Sequence, residues 1–187
     1  MQRVILSFDA LVRRTVGVFE FTQDPACILR LQHKTLGRSL ALPGIEAPRG
    51  APVLMLHLWN ERIPSLPSEG PTLAWARWIS HSLVDSLRLV RAYVIGQLPP
   101  PGPRAVGAIT VLGLASGTAD VLAHLGFQAQ PCSNPLGRFG EWWENAYTWC
   151  LMWAYNPASL RGKRLGHLRR TEYWMSAPDF LDRFATP

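Results

Sequence analysis

The sequence predicts an α+β fold, a single domain in which two or three main helices cover a mixed β-sheet. The first observation is size: 187 residues, 48% of them hydrophobic and 17% charged, supply one apolar core. The second is a set of β-prone runs near residues 17, 28, 53, 106, 128 and 171. The third is helical periodicity over residues 71–95, 118–125 and 141–155.

Residues 1–16 are predicted to form an N-terminal helix, followed by the core over 17–187. One face of this helix carries five apolar side chains: Val4, Ile5, Phe8, Leu11 and Val12. We expect this face to dock on the domain's own core, and peripheral attachment to a membrane is the alternative. Asp9, Arg13 and Arg14 interrupt the apolar run, so the helix is not predicted to be a secretion signal.

The next part of the chain predicts a hairpin, a loop, a strand and a long helix. The β-prone runs 16–21 and 27–32 are separated by five residues, which is typical of a hairpin. Residues 40–52 are rich in Pro and Gly and are predicted to be a loop leading to a buried strand over 53–58. The helix over 71–95 has apolar residues at three- and four-residue steps: Ala76, Ile79, Leu83, Leu87, Val90 and Val94.

The second half of the chain begins with a predicted strand–helix–strand unit. Its parts are a strand over 105–112, a turn over 113–117, a helix over 118–125 and a strand over 127–130. Near the C-terminus, residues 170–175 are predicted to form a strand, after which Ser176 caps a short helix that runs to Phe184.

The helix over 141–155 carries a stripe of apolar residues at helical spacing. The stripe consists of Trp142, Ala146, Trp149, Cys150 and Trp153. Such a stripe is typical of a helix face in a protein core, so we expect it to be buried, with Trp143 as the exposed member of the group.

Charge and cysteine content limit the classes of partner. Nineteen Lys and Arg against thirteen Asp and Glu give a net charge of +6, and the densest basic segment is 161–170. We expect that segment to be a solvated connection, with binding to nucleic acid or anionic lipid as the alternative. Nucleic acid is disfavoured because no known recognition motif accompanies the arginines.

Two further observations favour a cytoplasmic location. The number of cysteines is odd and they lack CxxC spacing, and no apolar run is long enough to span a bilayer.

The polar cluster at the end of the buried strand is the sharpest candidate for chemistry. Strand alternation places His57, Trp59 and Glu61 on one face, and Asn60 and Arg62 on the other. His57 and Glu61 are the candidate catalytic residues, as an acid/base pair in which the carboxylate orients the imidazole. No third metal ligand is near, so neither a metal nor a cofactor is expected. In the alternative interpretation His57 is a core histidine and its polar neighbours cap the strand end.

Two further features are candidate binding sites. The turn over 113–118 could receive an anion on its backbone N–H groups, with Ser116 and Thr118 beside it, or these residues could simply cap the helix that follows. Trp59, Trp143 and Trp174 could stack on sugar rings.

Three segments of the chain share a pattern with a known family: HLWNE at 57–61, VLGLASGTADVLAHLGFQ at 111–128 and WMSAPDFLDRF at 174–184. Together they resemble the YkoP-like domain family. The family consists of small bacterial domains that occur alone or attached to polysaccharide deacetylases. The resemblance runs from about Gly17 onward, and it implies an α+β domain in an envelope or polysaccharide setting. It implies no catalytic residues. Ser176 lies in the third segment and is a candidate binding residue together with Trp174.

The sequence therefore favours an accessory or ligand-binding domain of envelope or polysaccharide metabolism. Its expected partner is a glycan, a lipid-linked sugar or an envelope enzyme, and contact with the membrane would be peripheral. Two alternatives are a small enzyme that uses His57 and Glu61 on a sugar or anionic substrate, and a polyanion-binding protein that uses residues 161–170.

Overall fold

The computed structural model describes residues 2–67, 69–110, 117–132, 137–161, 168 and 170–185. Its helices are α1 Gln2–Val16, α2 Leu73–Gln97, α3 Gly117–His124, α4 Gly137–Tyr155 and α5 Ala177–Arg183. Its strands are β1 Val18–Phe19, β2 Leu29–Thr35, β3 Leu40–Leu42, β4 Ile45–Ala47, β5 Pro52–Leu58, β6 Ala105–Thr110, β7 Gln128–Pro131 and β8 Thr171–Ser176. Short 3-10 turns follow β5 at Asn60–Arg62 and α4 at Pro157–Leu160.

Six strands form one mixed sheet in the order β1-β2-β5-β6-β8-β7. β5 and β6 are parallel and are connected through α2, whereas the other neighbouring strands are antiparallel. The predicted α+β class and mixed sheet are therefore confirmed, and β1 and β2 pair as the sequence predicts.

One face of the sheet carries the larger core. Leu54 and Leu56 of β5 lie on this face with Val106 of β6 and with Tyr173 and Met175 of β8. The helices α2, α3 and α5 cover it through Leu83, Leu87, Val90, Val94, Leu122 and Phe180. The predicted apolar positions of α2 from Leu83 to Val94 thus face the core, because side chains three and four residues apart share one side of a helix. Ser176 caps α5, as predicted, by accepting a hydrogen bond from the Asp179 amide.

The opposite face has a smaller core at one end. Val53, Met55, Ala105 and Trp174 pack there under a two-stranded sheet formed by β3 and β4. This small sheet lies within residues 40–52, so the prediction of a plain loop was wrong there. The turn that joins its strands contains Gly44 with a φ of +73°, a conformation that glycine adopts without a steric penalty.

The helices α1 and α4 lie outside both cores. Neither cluster of buried apolar side chains in the described chain includes a residue of α1 or α4, and the two helices pack on each other instead. Two predictions are corrected here. The apolar face of α1 does not dock on the core, since Val4, Phe8 and Leu11 are exposed, and the stripe on α4 is not buried, since Trp142 and Trp153 are exposed. Trp143 is exposed, as predicted.

Candidate functional site

The two candidate catalytic residues do not form a pair. His57 is half-buried on β5, where its Nε2 donates a hydrogen bond to the side-chain oxygen of Gln32 at 3.0 Å. The amide of Gln32 in turn donates to the backbone carbonyl of Val16. Burial, and secondarily the charge of Lys34, lower the pKa of His57 to about 4. The imidazole is therefore neutral near neutral pH.

Glu61 has other partners because β5 ends at Leu58 and the chain turns, which ends the strand alternation. Its two carboxylate oxygens accept hydrogen bonds from Arg30 at 2.9 and 3.2 Å, and a third contact of 3.0 Å joins it to Arg13 of α1. The acid/base arrangement of His57 and Glu61 is thus not assembled. Within the part of the chain that the structure describes, no three His, Cys, Asp or Glu side chains group to hold a metal ion.

The pKa of His57 makes the fold sensitive to acid. The unfolded chain binds a proton near pH 6.5 and the folded chain only near pH 4, so stability is complete above about pH 6.5 and falls as the pH drops toward 4. We expect roughly 3 kcal/mol of the free energy of unfolding to be lost over this range from His57 alone. Urea denaturation at several pH values checks this. The variant His57→Gln should lack this part of the loss, and a variant with the same pH dependence of stability as the wild-type chain would contradict the role assigned to His57.

The tryptophans of the resembling segments are buried, which corrects their assignment as sugar contacts. Trp59 is 7% exposed and two guanidinium groups lie over its ring, that of Arg62 at 3.4 Å and that of Arg30 at 4.3 Å from the ring centre. Arg62 also donates to the backbone carbonyls of Asp24 and Cys27. Trp174 is 5% exposed, and its indole N–H donates to Glu172.

The remaining predicted site residues are occupied in other ways or are not described. Asn60 begins the 3-10 turn, and Ser176 is 7% exposed and engaged as a helix cap. Ser116 lies outside the described residues, and Thr118 lies in α3 with its side chain outside them. Of the basic segment 161–170, only residues 161, 168 and 170 are described. Arg170 is paired with Glu144 of α4 at 2.8 Å.

A cleft of about 400 Å³ lies between α1 and the first two strands. It is lined by Ala10, Arg13, Arg14, Val18, Phe19, Glu20 and Arg30, and by none of the predicted site residues. Two of its three arginines are already paired with carboxylates: Arg13 with Asp9 and Glu61, and Arg30 with Glu20 and Glu61. The cleft therefore offers no concentrated charge of either sign.

The helices α1 and α4 turn polar side chains inward. Asp9 of α1 is 3% exposed and accepts hydrogen bonds from the hydroxyls of Tyr147 at 2.6 Å and Tyr155 at 3.0 Å. Arg13 pairs with the same carboxylate at 3.0 Å. Burial, with the nearby carboxylate of Asp9 as a further cause, raises the pKa of both tyrosines, so each hydroxyl keeps its proton. The contact between the two helices is thus largely a polar junction.

The same helices turn apolar side chains outward. We call this surface the outer face; it consists of Val4, Phe8, Leu11, Phe139, Trp142, Trp143 and Trp153. The exposed fractions range from 39% for Trp153 to 71% for Phe139. The α1 part and the α4 part of the outer face meet where the ring of Phe8 packs edge-on against the ring of Tyr147, with 6.1 Å between the ring centres. Tyr147 lies one helical turn after Trp143. This orientation is the reverse of a typical surface helix, which buries its apolar side.

Comparisons with protein-family models, with curated proteins and with solved structures find no match to this chain. None of the described helices is long and apolar enough to span a bilayer. The outer face is therefore the candidate functional surface, although the sequence predicts that the apolar stripes of α1 and α4 lie in the core, with Trp143 exposed and peripheral membrane attachment as the alternative for α1. No local signal reveals it, because an apolar stripe with polar residues elsewhere on the helix is equally typical of a helix that faces the core.

Proposed function

We propose that this chain is a noncatalytic accessory domain of bacterial envelope or polysaccharide metabolism, and that it works through the outer face of α1 and α4. One observation carries the proposal: two neighbouring helices bury hydrogen-bonded polar groups and leave aromatic side chains in solvent. An exposed apolar surface of this kind is typical of an interaction site. The envelope setting comes from the resemblance of residues 57–61, 111–128 and 174–184 to the YkoP-like family.

The enzyme alternative has less support. It requires His57 and Glu61 to act together, whereas the imidazole is bonded to Gln32 and the carboxylate to two arginines. These residues therefore serve the local packing of β2, β5 and α1.

Cell fractionation tests the proposal. We expect the full chain, produced in a bacterial host, to distribute mainly to the envelope fraction of membranes and cell wall. The double variant Trp142→Gln/Trp143→Gln should shift to the soluble fraction, with the envelope-to-soluble ratio lowered about tenfold, because two large apolar contacts are removed.

A tryptophan elsewhere on the surface supplies the control. Trp78 of α2 is exposed but lies outside the outer face, so Trp78→Gln should keep the wild-type distribution. Circular dichroism of the purified variants establishes that each is folded. The proposal fails if the folded double variant and the wild-type chain distribute identically.

A further inference from the structure

We infer that the outer face binds the surface of a lipid bilayer that contains anionic lipids, with α1 and α4 lying in the interface. This inference rests on the proposed function and names the partner of the same surface.

The side chains of the outer face have the chemistry of a bilayer interface. Val4, Phe8, Leu11 and Phe139 have no polar side-chain atom, and each of the three tryptophans adds a single indole N–H. Aromatic side chains of this type concentrate at the boundary between headgroups and hydrocarbon, where the ring is apolar and its edge is wet. A saccharide site needs several polar groups placed to bind hydroxyls, and the outer face does not supply them.

The spacing of these residues suits a helix lying in the plane of a membrane. Val4, Phe8 and Leu11 are separated by four and three residues, so they form one line along α1. With 15 residues, α1 is about 22 Å long, and all three side chains can reach the same depth when its axis lies parallel to the surface.

The charges of α1 complement an anionic surface. Arg3 and Arg14 are exposed and lie beside the apolar line, whereas the acidic residue of α1, Asp9, is buried. Arginine side chains at such positions reach phosphate groups while their stems remain in apolar surroundings. α4 adds the exposed carboxylate of Glu141 and that of Glu144, which is paired with Arg170, and the chain as a whole carries +6.

The net charge also argues against a second copy of this chain as the occupant. Two copies that met through their outer faces would bring two charges of +6 together, and would place Arg3 and Arg14 of both near the contact. An anionic bilayer turns the same charges into an attraction.

Vesicle sedimentation with the purified full chain tests the inference. Two kinds of vesicle are compared, phosphatidylcholine alone and phosphatidylcholine mixed with phosphatidylglycerol. We expect the chain to sediment with the anionic vesicles, and its tryptophan fluorescence to shift to shorter wavelength as the indoles leave water.

The double variant Trp142→Gln/Trp143→Gln should bind about tenfold more weakly, and Arg14→Gln about fivefold more weakly to the anionic vesicles only. Trp78→Gln and Arg88→Gln are the matched controls on α2 and should bind like the wild-type chain.

Three results would overturn the inference. Equal binding to neutral and anionic vesicles would exclude the role assigned to the arginines. A second result is that the chain binds no vesicles but associates with itself or binds a soluble cell-wall glycan, and that the double variant abolishes this association or binding. This result would exclude the bilayer and leave the proposed function intact. No binding of vesicles or glycan and no association in solution would remove both proposals.

Discussion

The variant Gly107→Ala is expected to lose about 3 kcal/mol of its free energy of unfolding. Gly107 of β6 pairs with Trp174 of β8, and the indole ring lies directly over the glycine. An added Cβ would lie 2.5 Å from ring atom Cζ3 of Trp174, far inside van der Waals contact. The ring cannot move aside cheaply, because it is buried and its N–H is bonded to Glu172 at 3.0 Å.

Urea denaturation measures this loss, and a second glycine provides the comparison. Gly37 has open space where a Cβ would be added, and no positive φ, so Gly37→Ala should change the free energy of unfolding by less than about 0.5 kcal/mol. Equal stability of the two variants would show that the indole does not occupy the space over Gly107.

The variant Arg30→Met is expected to cost about 2 kcal/mol of the free energy of unfolding. Arg30 is buried on β2, where it pairs with Glu20 at 3.1 Å and with Glu61 at 2.9 Å and lies over the ring of Trp59. Methionine fills part of the same volume without a charge, so Glu20 loses this partner and Glu61 keeps only Arg13. The cost comes from the lost charge-assisted hydrogen bonds and from the lost contact of the guanidinium with the buried ring of Trp59.

A double variant isolates the Arg30–Glu61 pair. Arg30→Met/Glu61→Gln should cost less than the sum of the two single variants, because each single variant already removes the same Arg30–Glu61 pair. The control is Arg88→Met, since Arg88 also pairs with an acidic residue, Asp85, but both side chains are exposed. Such a surface pair contributes little, so a change below about 1 kcal/mol is expected. Similar losses for Arg30→Met and Arg88→Met would contradict this account.

The sequence was sufficient for the positions of most elements, because periodicity is a local property. The long helix predicted over 71–95 is found at Leu73–Gln97, and the buried strand predicted over 53–58 is found at Pro52–Leu58. The small sheet of β3 and β4 escaped prediction because three-residue strands are too short to show alternation.

The direction in which a helix faces depends on contacts between distant residues. A stripe of apolar side chains shows which side of a helix is apolar, but on α1 and α4 that side does not face the domain's own core. Asp9 meets Tyr147 and Tyr155 across more than a hundred residues of sequence, and no local pattern predicts that contact. Burial of Trp59 between Arg30 and Arg62 likewise requires the pairing of β2 with β5.

The two outermost strands of the main sheet limit how this domain can associate with itself. β1 has two residues, and β7 has four, the last of which is Pro131 without an N–H group. Edges this short offer few backbone groups to which another chain could add a strand. Addition of a strand from another chain at β1 or β7 is therefore limited to a short ladder of hydrogen bonds.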